Sequence, residues 1–224
     1  MGGKVRSSNL KIFRANIGES GSRTNIKTLT INNDKYSTGH PFLSKDGKKL
    51  YYISDMPGGY GQTDIYEVSV NNGHYGAPKN LGPTVNSKYR EYTPYVDGDI
   101  LYFSSNKPDG QGGYDIYMTK LDGSIEEPIN LGKPMNSKGD DFSFSIDSKT
   151  KIGFISSNRF AGRGEDDIYG FKISCEYTIE FKMSLSFKLT KGVPCLKRHL
   201  RYPLNLPCLV SLYFYDSAPL PVLA

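Results

Sequence analysis

Short apolar runs recur at regular intervals along the chain and predict its main strands. Each run is apolar on successive residues instead of alternate ones, which is typical of a strand buried on both faces of its sheet. The runs are rich in Tyr, Phe and Ile, which favour strands, and no stretch shows sustained helical periodicity. They are Leu50-Tyr51-Tyr52-Ile53, Ile100-Leu101-Tyr102-Phe103 and Ile152-Gly153-Phe154-Ile155. The pattern therefore predicts an all-β chain whose sheets are covered on both sides.

Polar markers follow each apolar run in the same order. A Ser-Asp or Ser-Asn pair ends the run, a Gly-rich loop comes next, and an Asp-Ile-Tyr triplet opens an outer strand. Successive triplets are separated by 51 and 52 residues, which indicates one propeller blade per repeat. The pairs are Ser54-Asp55, Ser105-Asn106 and Ser157-Asn158, the triplets are Asp64-Ile65-Tyr66, Asp115-Ile116-Tyr117 and Asp167-Ile168-Tyr169, and an upstream marker begins at Asn33, Asn86 and Asn136.

These repeats predict a partial β-propeller of three four-stranded blades plus one N-terminal strand. The propeller covers residues 1–174, with blades at 31–70, 80–121 and 130–174. Lys11-Ile12-Phe13 lies where an earlier triplet would fall, so we expect the chain to begin inside a preceding blade, as a piece of a longer protein. A closed propeller needs about four to eight blades. We therefore expect an open arc with at least one exposed apolar blade face. Its missing blades would lie on the N-terminal side, and the pattern leaves the C-terminal side open.

Residues 175–224 differ from the repeats. The repeat markers stop there and Leu-Pro-rich pieces appear instead. All three cysteines, Cys175, Cys195 and Cys208, lie in this part of the chain. An odd number of cysteines outside the repeats argues against a disulfide framework. We interpret this region as an irregular tail or a truncated second domain.

The charge and the motifs of the chain argue against nucleic-acid binding, a membrane-spanning segment and the common catalytic or cofactor-binding motifs. The net charge of +5 is concentrated towards the tail, so the blades are close to neutral and no nucleic-acid footprint is indicated. No segment reaches the roughly 18 apolar residues of a membrane span. Phosphate-loop, dinucleotide, zinc-helix and serine-elbow motifs do not occur. We therefore predict no cofactor and no catalytic residue.

The aspartates of the triplets allow two interpretations. In the first, Asp64, Asp115 and Asp167 accept backbone N–H bonds and close their hairpins, while loop glycines supply positive φ. In the second, loop carbonyls and carboxylates bind calcium, and the best candidates are Glu165, Asp166 and Asp167. We favour the structural role. Ser54 and the Ser105-Asn106 and Ser157-Asn158 pairs are likewise interpreted as strand-end turns in preference to ligand contacts.

The motifs resemble those of a known family of repeats. Residues 101–106, the Gly-rich loop 108–113 and Asp115-Ile116-Tyr117 resemble the TolB-like, WD-type propeller repeats of bacterial envelope proteins. The third copy, from Gly153 to Tyr169, is similar to the last blade of OmpA-like proteins of Bacteroidetes-type bacteria. The resemblance implies a periplasmic or outer-membrane-associated location, protein partners in the cell envelope and, in some members, a part in type IX secretion.

Repeat and resemblance together favour a non-catalytic protein-interaction scaffold. We expect the Gly-rich loops 55–63, 106–114 and 158–166 to be its contact regions, because loops on rigid scaffolds commonly carry function. Two alternatives stay open. One is a propeller hydrolase fragment whose site lies on missing blades, and the other is a propeller that binds calcium or a small ligand.

Overall fold

The computed structural model describes residues 9–125, 127–160, 162–175 and 208–214. All regular elements within these ranges are strands, which confirms the all-β prediction. No helix among the described residues could span a membrane. The strands are β1 Phe13–Ile17, β2 Arg23–Thr28, β3 Thr38–Leu43, β4 Lys49–Ser54, β5 Asp64–Asn71, β6 His74–Tyr75, β7 Lys79–Asn80, β8 Glu91–Asp97, β9 Ile100–Ser105, β10 Asp115–Lys120, β11 Ile129–Asn130, β12 Asp141–Asp147, β13 Ile152–Ser157, β14 Asp167–Cys175 and β15 Cys208–Phe214.

The strands form three antiparallel sheets that correspond to the three repeats. Blade 1 has the order β3-β4-β5-β7, with β6 added as a short hairpin at the end of β5; blade 2 has the order β8-β9-β10-β11; blade 3 has the order β12-β13-β14-β15. Strands β1 and β2 pair with each other as a separate hairpin. Sheets of this kind, stacked in sequence order, are the blades of a partial β-propeller, and the predicted fold class is confirmed.

Two details of the prediction need correction. The triplet opens the third strand of each sheet and not the outermost one, because β7, β11 and β15 pair with its far side. The N-terminal segment holds two paired strands where one was predicted.

Apolar residues on both faces of the sheets hold the blades together. In β4, Tyr51 and Ile53 join a cluster with blade 2, whereas Leu50 and Tyr52 join a cluster with Ile12 of the N-terminal segment. Neighbouring residues of one strand thus face opposite sides. This explains why the runs are continuously apolar.

A third cluster joins blades 2 and 3, but the far face of blade 3 is open. It buries Ile116 of blade 2 against Tyr169 and Phe171 of blade 3. On the opposite face of blade 3, Ile168 is 66% exposed. Apolar side chains are also exposed in the N-terminal hairpin, where Phe13 is 58% exposed. Among the described residues, the first and the last sheet of the arc therefore each have an exposed apolar face, in line with the expectation of at least one such face.

Because the strands of each sheet are antiparallel, the connections between them lie alternately at the two ends of the strands. The Gly-rich loops between second and third strands share one end with the segments that lead into the next inner strand, and we call this the loop end. The turns after first and third strands lie at the other end, which we call the turn end. The predicted contact loops therefore form one surface.

The first strand of each sheet, which we call the inner strand, contains a bulge at the same repeat position. These strands are β3, β8 and β12. A non-glycine residue has positive φ at each bulge: His40 at 47°, Thr93 at 43° and Ser143 at 53°. Such angles are uncommon for a β-branched residue like threonine. The Thr93 hydroxyl lies 2.9 Å from the Ser104 hydroxyl and accepts a 3.1 Å hydrogen bond from the backbone N–H of Ser143. The bulge therefore contributes a polar contact between blades 2 and 3.

Candidate functional site

The triplet aspartates close the Gly-rich loops. Asp64 is buried and accepts bonds from the N–H groups of Tyr60 (2.6 Å) and Gly61 (3.0 Å) and from the Asn80 side chain (2.7 Å). Asp167 accepts bonds from Arg163 N–H (2.6 Å) and Gly164 N–H (3.1 Å). These are the contacts of a loop-closing aspartate.

Asp115 makes the equivalent loop contact through its Oδ2. Its Oδ2 accepts a hydrogen bond from Gln111 N–H. Its Oδ1 is buried and has no hydrogen-bond partner within the part of the chain that the structure describes. Burial raises the pKa of Asp115, although the Gln111 hydrogen bond opposes this effect.

Buried asparagines tie the triplet strands of blades 1 and 2 to the connections that follow them. Asn86 accepts a 2.8 Å bond from Ile65 N–H and donates a 3.0 Å bond to the Ile65 carbonyl. Asn136 does the same for Ile116, at 2.8 and 2.9 Å. We call Asn86, Asn136 and their N-terminal equivalent the bridging asparagines. Each satisfies two backbone groups at the loop end, which restrains the loop beside them.

The N-terminal equivalent is Asn32, and the predicted marker Asn33 is wrong by one residue. Asn32 accepts a 2.9 Å bond from Ile12 N–H and donates a 2.7 Å bond to the Ile12 carbonyl. Ile12 therefore corresponds to Ile65 and Ile116, as the Lys11-Ile12-Phe13 register predicted. Asn33 is exposed and accepts only a local bond from Lys35 N–H.

The residues directly after the second strands hold the start of the first strand of the same blade. Asp55, Asn106 and Asn158 each use a side-chain oxygen to accept a backbone N–H, at distances between 2.6 and 2.9 Å. Only an oxygen acceptor is needed, so Asp55 fills the same place as the two asparagines. The preceding serines are buried, and Ser54 donates a 2.7 Å bond to the Ser37 carbonyl.

Acidic residues begin the inner strands of blades 2 and 3, and sequence reasoning missed both. Glu91 is buried and accepts bonds from Ser87 N–H (3.1 Å), Ser87 Oγ (2.6 Å) and Ser105 Oγ (3.0 Å). Burial raises its pKa, while the serine hydrogen bonds oppose that shift. The available signal was a serine four residues before each acid, in Ser87–Glu91 and Ser137–Asp141.

Asp141 is the blade 3 equivalent and forms a largely buried ion pair. The Arg159 guanidinium lies 2.6 Å from its carboxylate and packs over the Tyr169 ring at 4.7 Å. Ser157 accepts a 3.1 Å bond from Arg159 N–H. In blade 2, Lys107 lies 5.1 Å from the centre of the Tyr117 ring. The third residue of the triplet thus packs beneath a cation in both blades.

The tyrosines of the triplets face the preceding sheet. Tyr66, Tyr117 and Tyr169 are all almost fully buried, and each joins the cluster on the N-terminal side of its own blade. Burial raises the pKa of Tyr117 to about 12. These residues are therefore part of the blade-to-blade packing.

The loop glycines are required mainly for close approach. A Cβ on Gly61 would lie within 3.0 Å of the Ser87 and Tyr89 carbonyls, and one on Gly112 would lie within 3.0 Å of the Ser137 and Gly139 carbonyls. Of the glycines in the three loops, only Gly58 has positive φ. The expectation that these glycines supply positive φ is therefore wrong for the others.

A cleft of about 230 Å³ opens at the loop end between blades 1 and 2. The Tyr92 ring lies 3.9 Å from the His40 ring and 5.3 Å from the Tyr114 ring. Burial lowers the pKa of His40, which favours its neutral form. At the rim, Arg90 Nε donates a 2.7 Å bond to the Gln62 side chain. The lining comprises Leu10, Ser37, Gly39, Ile53, Ser54, Asp55, Gln62, Thr63, Arg90, Tyr92 and Tyr114.

The calcium candidates do not form a metal-binding cluster. No group of three or more His, Cys, Asp or Glu side chains in the described ranges could hold a metal ion. Glu165 and Asp166 are exposed, and Asp167 uses its carboxylate to accept loop N–H bonds.

Comparisons with known proteins leave the family open. No family model and no curated protein matches the chain. It is similar to prolyl oligopeptidase B from Galerina marginata bound to a 25mer macrocyclization substrate, with TM-score 0.41 and 14% identity over 65% of this chain and 19% of that chain. A structure from work on two prolyl endopeptidases has TM-score 0.38 and 20% identity over 67% of this chain and 21% of that chain. The chain thus spans about a fifth of the length of these two enzymes.

Proposed function

We propose that this chain is a non-catalytic protein-interaction module whose loop end contacts a partner protein. One observation carries the proposal: large aromatic side chains are exposed at the tips of loops that hydrogen bonds hold in place. Tyr60 is 51% exposed and Phe160 is 102% exposed, and they occupy the Gly-rich loops of blades 1 and 3. Exposed aromatic residues on ordered loops are typical of protein-binding surfaces.

The restraint on these loops supports a recognition role. The loop of blade 1 is closed by Asp64 and bonded to the next connection through Gln62 N–H and the Tyr89 carbonyl at 2.8 Å. The loop of blade 2 is bonded in the same way through Gly113 N–H and the Gly139 carbonyl at 3.0 Å. A surface that is ordered before binding loses less conformational entropy when a partner arrives.

The cleft gives this surface a concave centre. Tyr92 and Tyr114 are half-buried within it, and the exposed Arg90 lies at its rim. Tyrosine and arginine are enriched among the residues that dominate binding energy at protein interfaces. We therefore place the main contact at Tyr92, Tyr114 and Arg90, with Tyr60 as a neighbouring anchor.

The cellular setting of the proposal is the bacterial envelope. The TolB-like and OmpA-like motif resemblance supports a periplasmic or outer-membrane-associated module that binds another envelope protein. The hydrolase alternative places its site on blades outside this chain.

Site-specific photocrosslinking tests the loop-end contact. A photoreactive residue would replace Tyr60 or Phe160 in cells that naturally encode the chain, and Lys48 or Lys149, exposed at the turn end, would be the matched controls. We expect the same protein to be captured from both loop positions and from neither turn position. Equal capture from the turn end, or no capture from the loops, would contradict the proposal.

A second arm tests the cleft itself. Tyr92→Ala should reduce the adduct formed from position 60 by about tenfold, because truncation of an interface anchor commonly costs more than 1 kcal/mol. Tyr89→Ala, outside the cleft, is the matched control and should leave the adduct yield within about twofold. Fractionation of the same cells shows whether the captured protein belongs to the envelope.

A further inference from the structure

The repeat gives the isoleucine of each triplet a fixed direction. Ile65 and Ile116 are 0% exposed, since each packs against the sheet that follows its own blade. Ile168 holds the same position in blade 3 and is 66% exposed. In blade 3, the isoleucine that packs against the following sheet in blades 1 and 2 is therefore exposed.

The loop glycine of blade 3 also lacks the neighbour that its equivalents have in blades 1 and 2. Gly164 stands three residues before Asp167, as Gly61 and Gly112 stand before their triplet aspartates. At Gly61 and Gly112 a Cβ would clash with the connection that enters the next blade. At Gly164 the nearest neighbours of a Cβ belong to Asp166 and Asp167 and begin at 3.6 Å. No described segment occupies the place for which the glycine leaves room.

The bridging asparagine is the third element of this interface. Ile65 and Ile116 each bond to an asparagine from the connection that follows. Within the described ranges, no asparagine occupies the corresponding position beside Ile168. The isoleucine, the glycine and the bridging asparagine each contribute to a contact with the following blade in blades 1 and 2. On blade 3 all three lack that contact among the described residues.

The other end of the arc carries the complementary half. Phe13 corresponds to Tyr66, because Asn32 bonds to Ile12 as Asn86 bonds to Ile65. At the equivalent position Tyr66, Tyr117 and Tyr169 are at most 3% exposed against the preceding sheet, whereas Phe13 is 58% exposed. The β1–β2 hairpin is thus the outer half of a blade whose preceding neighbour is absent from the described residues.

We propose that a second copy of this chain covers the open face of blade 3 with its β1–β2 hairpin. Copies would then associate head to tail and continue the blade-to-blade contact that occurs within each chain. Phe13 of one copy would pack against Ile168 of its partner. A head-to-tail contact closes into a ring or continues as an open chain, depending on the rotation between copies. The apolar residues of this contact, Phe13 and Ile168, are distinct from Tyr92, Tyr114 and Arg90, where the main loop-end contact of the proposed function lies.

Light scattering after size-exclusion chromatography, over a range of concentrations, tests the association. We expect a particle of at least twice the 25.0 kDa mass of the chain. Ile168→Lys and Phe13→Lys should each weaken association by about tenfold or more, since each puts a charge into an apolar contact. Leu43→Lys changes an apolar residue at the end of β3 in blade 1, which is 53% exposed and belongs neither to the β1–β2 hairpin nor to blade 3, and it should leave the mass unchanged.

Mixing the two lysine variants separates head-to-tail from face-to-face association. Each variant keeps one intact half of the contact, so the mixture should form a particle of twice the chain mass although neither variant does so alone. Ile168→Ser and Phe13→Ser provide the same comparison if a lysine variant does not fold. The proposal is overturned if the wild-type chain remains monomeric at every concentration, if Leu43→Lys is equally disruptive, or if the mixture stays monomeric.

Discussion

At the residue scale, the bridging asparagines are the most demanding positions in the repeat. Asn86 and Asn136 are buried, and each satisfies a backbone donor and a backbone acceptor of a triplet isoleucine; Asn136 is 1% exposed. Removing a side chain of this kind leaves buried polar groups without partners, which is more costly than the loss of an exposed hydrogen bond.

Asn136→Ala should therefore lower the free energy of unfolding by about 2 kcal/mol. Asn33→Ala is the matched control, because Asn33 is exposed and makes only a local bond, and it should change stability by no more than about 0.5 kcal/mol. Urea unfolding of both variants measures the difference. Equal effects would show that the bridging contact is not specific.

The buried Glu91 predicts a particular dependence of stability on pH. Burial raises the pKa of Glu91 above its ordinary value of 4.5, so the folded chain binds this proton more tightly than the unfolded chain does. The resulting stabilisation is fully present below pH 4.5 and is lost as the pH rises through the folded-state pKa. Glu91→Gln should therefore show a smaller loss of stability above pH 4.5 than the wild-type chain does.

Unfolding midpoints in urea at a series of pH values test this expectation. Parallel curves for Glu91→Gln and the wild-type chain would contradict it. Ser105→Ala gives a related check, because it removes one of the hydrogen bonds that oppose the upward shift. This variant should raise the pKa of Glu91 further. The loss of stability with rising pH should then extend to a higher pH than in the wild-type chain.

At the scale of the elements, the Gly-rich loops fit against the next blade because two glycines lack side chains. Gly112→Ala should cost about 2 kcal/mol, since its Cβ would meet backbone carbonyls that cannot easily move. Gly164→Ala is the internal control and should cost no more than about 0.5 kcal/mol. Thermal unfolding at low protein concentration compares the two. Similar losses would show that the loop and the connection are not in contact.

The strands that the sequence predicted are those with a strong pattern. The triplets open β5, β10 and β14, and the apolar runs form β4, β9 and β13. Strands β7 and β11 were missed as the outer strands because each has only two residues, too few to show periodicity. The triplet strand was therefore assigned to the edge of the sheet.

The position of Asn32 illustrates why spacing alone failed in the first copy. Three residues separate Leu29 from Asn32, whereas five separate Leu81 from Asn86 and Leu131 from Asn136. The equivalence becomes clear only from the hydrogen bonds to Ile12. The acidic residues were missed for a similar reason, because the repeat position varies among Thr38, Glu91 and Asp141 and no single copy identifies it.

At the scale of the whole molecule, the contacts between blades hold the arc together. Each sheet buries apolar residues only against its neighbours, as in other repeat proteins. The cleft could not be predicted from sequence, because its lining residues come from two blades and the N-terminal segment. Only the stacking of the sheets brings them together.

Three equivalent isoleucines test this stacking with one conservative change. Ile65→Val and Ile116→Val should each cost about 1 kcal/mol, because they remove a methylene from a fully buried contact. Ile168→Val, at the exposed equivalent position, should cost less than about 0.5 kcal/mol when measured at low protein concentration. Equal costs at all three positions would contradict the arrangement of blades.

Residue-resolved hydrogen exchange tests the central claim most directly, namely that each blade is tied to the next through a bridging asparagine at an ordered loop end. The account predicts that the Ile65 and Ile116 amides exchange slowly in the wild-type chain. Asn86→Ala should speed exchange at the Ile65 amide but not at the Ile116 amide. Asn136→Ala should speed exchange at the Ile116 amide but not at the Ile65 amide. Rapid exchange of both amides in the wild-type chain, or no response to either substitution, would contradict it.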